Sequence, residues 1–214
     1  MGKIGLGCLA LVVLLVVIIG VSVAGTNNRL VTLSQEVDKQ WAQVENQYQR
    51  RADLVPNLVA TVQGAAQFEK STLEEVVRAR ASVGQAQVTP GKAPDDPAQL
   101  AKFEQAQAAL GGALSRLLVV VERYPELKAN ANFRDLQAQL EGTENRIAVE
   151  RMRFNETAQA YNTTLMKFPT NITGRLLGFK VKPYFHGTPG SERPPAVNFN
   201  FGTTPGAPAT APAR

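Results

Sequence analysis

Apolar positions along this chain obey two different rules. Residues 4–24 are uncharged throughout, reading IGLGCLALVVLLVVIIGVSVA. From residue 28 onward apolar residues recur instead at steps of three and four, the repeat of a helix with one buried face. As a helix, the first run would be about 31 Å long at about 1.5 Å per residue, close to the hydrocarbon thickness of a bilayer. Fourteen of its residues are Leu, Ile or Val. At roughly −0.3 to −0.6 kcal/mol each they favour insertion by about 4 to 8 kcal/mol, less the cost of the glycines and the serine.

Four amphipathic segments follow. The first carries Leu30, Leu33, Val37, Trp41, Val44 and Tyr48. Pro56 then predicts a kink or break near residues 54–57, because proline removes a backbone hydrogen bond and pushes its predecessor out of helical geometry. The second carries Leu58, Val62, Ala65, Leu73, Val76 and Val83, and runs into the polar, proline-rich connector 88–97. Asp95 or Asp96 is placed to cap the third segment, with Pro97 in its first turn. That segment presents Phe103, Leu110, Leu114, Leu117 and Val121 until Tyr124-Pro125 ends it. The fourth, with Asn130 or Asn132 as cap, presents Phe133, Leu136, Leu140, Ile147, Phe154, Ala158, Tyr161 and Leu165 before Phe168-Pro169.

The expected fold class is therefore all-α: an N-terminal transmembrane helix, then a long antiparallel four-helix up-and-down bundle. The expected division is an anchor at 1–25, a bundle at 26–168 with helices at about 28–54, 56–86, 97–123 and 130–167, and a packed extension at 169–185. The Pro/Ala/Thr-rich tail at 186–214 holds too few large apolar residues to offset the entropy of ordering and is expected to be largely disordered.

Two readings of the first run compete. Lys3 with the free amino group, and Ser22-Val23-Ala24 before Gly25, resemble a cleavable signal. The apolar stretch is longer than a usual signal core, which favours an uncleaved anchor. Cys8 precedes most of the stretch instead of following it, the wrong order for a lipoprotein signal. Lys3 and the amino terminus favour a cytoplasmic N-terminus and hence an extracytoplasmic bundle, against Arg29 and Lys39 on the other flank.

Charge and composition narrow the chemistry. The net charge is +5 and the pI about 9.5, but the basic residues are scattered. No basic cluster suggests nucleic acid; mild attraction to anionic lipid is the better reading. With one cysteine and one histidine, His186, no intrachain disulfide forms, and neither an ordinary zinc site nor a Cys/His nucleophile pair is expected.

Three constellations of polar residues carry candidate chemistry. Arg50, Arg51 and Asp53 could hold an anion or a lipid headgroup, but adjacent arginines on a helix point about 100° apart. A solvated face with one inter-helix ion pair is the plainer reading. Glu144, Glu150 and Arg151, in the charged stretch 141–153, have helix-surface spacing: Arg146 and Glu150 are four apart, and Glu144 and Arg151 share a face. A structural network is favoured over a carboxylate dyad, with Arg50 or Arg51 expected to pair with Glu144 or Glu150. Asn57 and Asn155 flank apolar stripes and are candidates for fixing register, although Asn57 more simply helps cap the segment after the proline. Trp41 and Tyr48 read as core, and His186 as an exposed loop residue. No catalytic, cofactor-binding or metal-binding residue is expected, and no cofactor.

Residues 37–81, 124–171 and 176–185 (LLGFKVKPYF), together with PPAVNFNF at 194–201, resemble the LemA family of bacterial membrane proteins. The stretch 98–109 and the tail depart from the family pattern. The resemblance implies one membrane helix, a long antiparallel helical bundle and no catalytic residue to carry over. The expected function is non-enzymatic: a scaffold or partner-binding module in the bacterial cytoplasmic (inner) membrane, in contact with the lipid bilayer and unidentified proteins, and a candidate homo-oligomer. The alternatives are an accessory subunit to a membrane-associated hydrolase or phosphatase-like protein, or an enzyme with a cryptic charged site on the fourth helix.

Overall fold

The computed structural model describes residues 2–64, 68–86 and 89–187. Six helices follow one another: α1 (Gly2–Gln63), α2 (Lys70–Gln85), α3 (Pro97–Val121), α4 (Pro125–Ala129), α5 (Ala131–Met166) and α6 (Thr170–Leu176). No strand occurs among the described residues. Ala65, counted above in the second stripe, and residues 188–214 of the tail lie outside the described residues.

The apolar run and the first amphipathic segment are one helix. From Leu11 to Ile19 every side chain of α1 is more than half exposed, because none of the described residues packs against it. From Leu30 onward the same helix buries one face at successive turns through Val37, Trp41, Val44, Tyr48, Val55, Leu58 and Val62. No turn separates the apolar run from the folded part, so the two share one helix.

Pro56 does not break this helix. The proline ring removes the N–H that would bond to the carbonyl of Ala52. That carbonyl instead accepts a hydrogen bond from Arg80 Nε of α2 at 3.0 Å. With the freed acceptor satisfied and Pro56 on the exposed side, the helix runs on to Gln63, and the expected break moves to the turn at Gly64. The caps are resolved as well. Asp96 caps α3 through its side chain to Ala98 N (2.9 Å), and Asn130 caps α5 by accepting from Asn132 N and Phe133 N.

α1 and α5 pack antiparallel: Leu30 and Leu165 meet near one end, and Arg51 and Glu144 meet further along. α2 and α3 also run antiparallel, tied by Glu69 to Arg123 and Glu75 to Arg116. The core has two parts. One is aromatic: Trp41, Tyr48, Phe103, Phe154, Tyr161 and Phe185 gather with Leu30, Val37 and Leu165. Trp41 lies within 5.3–5.8 Å of the rings of Phe103, Phe154 and Phe185. The other is mainly aliphatic, with Val55, Leu58, Val62, Val76, Leu110, Leu117 and Leu140 around Phe133.

After α5 the chain turns back. α6 crosses close to α1 and α5 at Gly174, where a Cβ would come within 2.5 Å of a Leu165 methyl and 3.3 Å of a Leu30 methyl. Gly178, at φ +82°, then redirects the backbone. Residues 179–187 form an extended strap along α5.

Candidate functional site

The expected network residues separate into distinct groups. Arg51 is 3% exposed and lies where the aromatic and aliphatic parts of the core meet. Its Nη1 donates to Glu144 Oε1 of α5 at 2.7 Å, and its Nη2 donates to the backbone and side-chain carbonyls of Gln107 on α3. Its guanidinium also lies 5.1 Å from the centre of the Tyr48 ring. One side chain thus ties α1, α3 and α5 together. Gly111 faces the same guanidinium, 3.8 Å from where a Cβ would stand.

Arg50 and Asp53 lie on the exposed side of α1, where Asp53 accepts from Gln49 at 2.7 Å. Glu150 accepts from Gln40 of α1 at 2.6 Å and from its neighbour Arg153 at 2.9 Å. Arg151 turns the other way, to Glu104 of α3 (2.8 Å) and the carbonyl of His186 (2.9 Å), with its guanidinium 4.6 Å over the Phe185 ring. Glu144 and Glu150 are therefore directed to different partners and do not form a dyad. Burial pushes the hydroxyl pKa of Tyr48 up; the positive charges of Arg151 and Arg51 oppose this.

A second buried cation escaped the sequence reading. Lys182, in the strap, is 3% exposed. Its ammonium pairs with Asp95 at 2.6 Å and lies 3.9 Å from Asp38 of α1. Asp38 in turn accepts from Ala93 N at 2.9 Å. Lys182 thus joins the strap, α1 and the connector before α3. The available signal was a period of three: Phe179, Lys182 and Phe185 turn inward while Lys180 and Val181 stay exposed. That is the repeat of a polyproline-type extended chain, and it separates Lys182 from Lys180.

Two asparagines of α5 hold the strap. Asn162 donates to Lys182 O and accepts from Lys182 N, both at 2.8 Å. Asn155 does the same with Phe185, both at 2.9 Å. Seven helical residues rise about 10.5 Å at 1.5 Å each, and three extended residues span about 10 Å, so the i, i+7 asparagines match the i, i+3 strap positions. Each amide copies the paired donor and acceptor of a neighbouring strand. Tyr161 adds a bond from its hydroxyl to Lys180 O at 2.9 Å. Its hydroxyl pKa is pushed up to about 12, by burial first and then by the nearby Asp95 and Asp38. Asn57 is exposed in mid-helix and caps nothing; its carbonyl accepts from Thr61.

A cavity of about 250 Å³ lies against α1 and α3, lined among others by Tyr48, Ala52, Phe103 and Gln107. Among the described residues, no three His, Cys, Asp or Glu side chains converge as metal ligands do.

The LemA family model matches residues 40–199. The chain is similar to Magnetosome protein MamQ of Magnetospirillum gryphiswaldense, with 29% identity over 182 residues that cover 78% of this chain and 67% of that one. It matches Magnetosome proteins MamQ 2 and MamQ 1 of Paramagnetospirillum magneticum to the same extent.

Proposed function

We propose, since this chain belongs to the LemA family, that it is a non-enzymatic scaffold: a membrane-anchored helical domain that binds protein partners at the bacterial inner membrane. That it is a membrane-associated, LemA-type protein with one apolar N-terminal helix is the premise. The further step rests chiefly on the use made of the buried charge. Arg51 and Lys182 each join three separate segments through carboxylates and carbonyls. Cations so committed fix the relative position of helices and are poorly free to polarise a substrate. The α5 carboxylates diverge to structural partners, which weighs against an acid/base pair on that helix.

In this reading α1 spans the membrane once and continues, without a hinge, into a four-helix up-and-down bundle. The domain is extracytoplasmic, as the charge at Lys3 favours, and its exposed helix faces bind other proteins or further copies of the chain. The purified full-length protein in detergent, tested against phosphoesters and peptides, is expected to show no turnover. Turnover abolished by Glu144→Gln or Arg151→Ala would replace the scaffold with an enzyme.

A further inference from the structure

The end of the folded domain nearest the apolar helix carries its own greasy, basic surface. Phe168 and Leu176 are 79% and 83% exposed, and Met166 and Ile172 are more than half exposed. Ile172 and Leu176, four apart on α6, put one apolar edge outward while Gly174 is buried against Leu30 and Leu165, and Phe168 stands exposed in the turn just before that helix. Single exposed apolar residues are ordinary; a contiguous set marks a contact surface.

Its place along α1 says what covers it. Thr164 and Thr170 line a shallow cleft with Ser22, Gly25, Thr26 and Arg29 of α1. These are the residues by which α1 leaves its apolar run. If residues 4–24 fill the hydrocarbon, whatever packs against 22–29 lies at headgroup depth. Charge agrees with this. No Asp or Glu occurs between residues 157 and 187, whereas Lys167, Arg175 and Lys180 do, and α1 adds Arg29 with no acidic residue before Glu36. Apolar side chains ringed by exposed cations match the boundary between acyl chains and anionic headgroups.

We propose that the α5–α6 corner is an interfacial foot: Phe168, Ile172 and Leu176 enter the boundary layer of the same bilayer that α1 crosses, and Arg29, Lys167 and Arg175 contact its anionic headgroups. The proposal rests on α1 being the anchor. With a rigid helix on one side and the foot on the other, the domain stands at a fixed tilt instead of swinging on a tether.

The test uses the full-length protein in vesicles of phosphatidylcholine and phosphatidylglycerol, with part of the phosphatidylcholine brominated near the glycerol end of its acyl chains. Trp41 is the chain's one tryptophan and is buried, so it supplies a constant background. Ile172→Trp and Leu176→Trp are expected to lose emission in brominated vesicles, and Val119→Trp, exposed on α3 at the far end of the domain, is expected to keep it. Replacing Lys167 and Arg175 by Gln should reduce the quenching seen with Ile172→Trp. Leu14→Trp, read with lipid brominated deep in the chain, reports the anchor itself. Quenching of Leu14→Trp without quenching at positions 172 and 176 would overturn the foot and leave the anchor standing. No quenching of Leu14→Trp would remove the anchor and the foot with it. A change at position 172 that follows protein density instead of bromine would assign the face to a second copy and overturn the foot as well.

Discussion

The parts of the folded domain nearer to the apolar run and farther from it bury similar helices with different side chains. Nearer the apolar run, rings from α3, α5 and the strap surround Trp41. At the far end, Val and Leu from α1, α2 and α3 close around Phe133. The distal part is built from helices alone, and its residues follow helical spacing. The proximal part needs a non-helical element, since Phe185 stacks on Trp41 from the strap. Arg51 stands between the two parts and belongs to both.

The largest expected effect comes from removing the centre of the aromatic part. Trp41→Ala should cost about 3–5 kcal/mol of stability, read by denaturant unfolding in detergent, and should raise amide exchange in residues 179–186. Phe133→Ala should cost about as much yet leave strap exchange unchanged. Equal exposure of the strap by both variants would mean that the two parts open as one unit.

Arg51→Ala tests the boundary. Removing one partner of a buried ion pair costs about 3–5 kcal/mol, and the half exposure of Glu144 puts the expected loss near the lower figure. Glu144→Gln should cost less, because the glutamine oxygen still accepts. A loss under about 1 kcal/mol for Arg51→Ala would show the layer behaving as an ordinary surface pair.

The strap is a smaller target. Asn155→Ala and Asn162→Ala each leave a buried or partly buried backbone pair unmet, at about 1–3 kcal/mol. Exchange should rise in residues 180–186 and stay unchanged in α2 and α3. Release of α2 by either variant would contradict the separate role of the strap.

The smallest effect at neutral pH belongs to Tyr161. Loss of its hydroxyl bond in Tyr161→Phe should cost about 1 kcal/mol. Its pH dependence is distinctive. The folded state holds the hydroxyl protonated to about 12, whereas an unfolded tyrosine ionises near pH 10. A folded pKa raised above the unfolded one leaves stability intact below about pH 10 and erodes it as the pH climbs toward about 12. Tyr161→Phe should flatten that alkaline decline; an unchanged slope would assign it to other groups.

The helical stripes, the caps at Asp96 and Asn130, and the pairing of an α1 arginine with Glu144 could be reasoned from spacing, since local physics fixes them. What escaped depended on distant partners. Pro56 looked like a break because its compensation comes from Arg80, in another helix. Glu150 and Arg151 looked like members of one network because spacing along a helix does not say which neighbouring helix each face meets. Nothing in the local sequence marks Lys182, because its two carboxylates, Asp38 and Asp95, lie far away in the chain. Asn155 was marked as a register residue without its partner, since an extended strap on a helix has no period-two or period-3.6 signal to find.

Cross-linking of the full-length protein in native membranes, read by mass spectrometry, tests the scaffold most directly. The expected result is the intact chain retained after an alkaline wash and linked, through its exposed helix faces, to other membrane proteins or to further copies of itself. Recovery of intrachain cross-links alone, with the chain released into the wash, would contradict it.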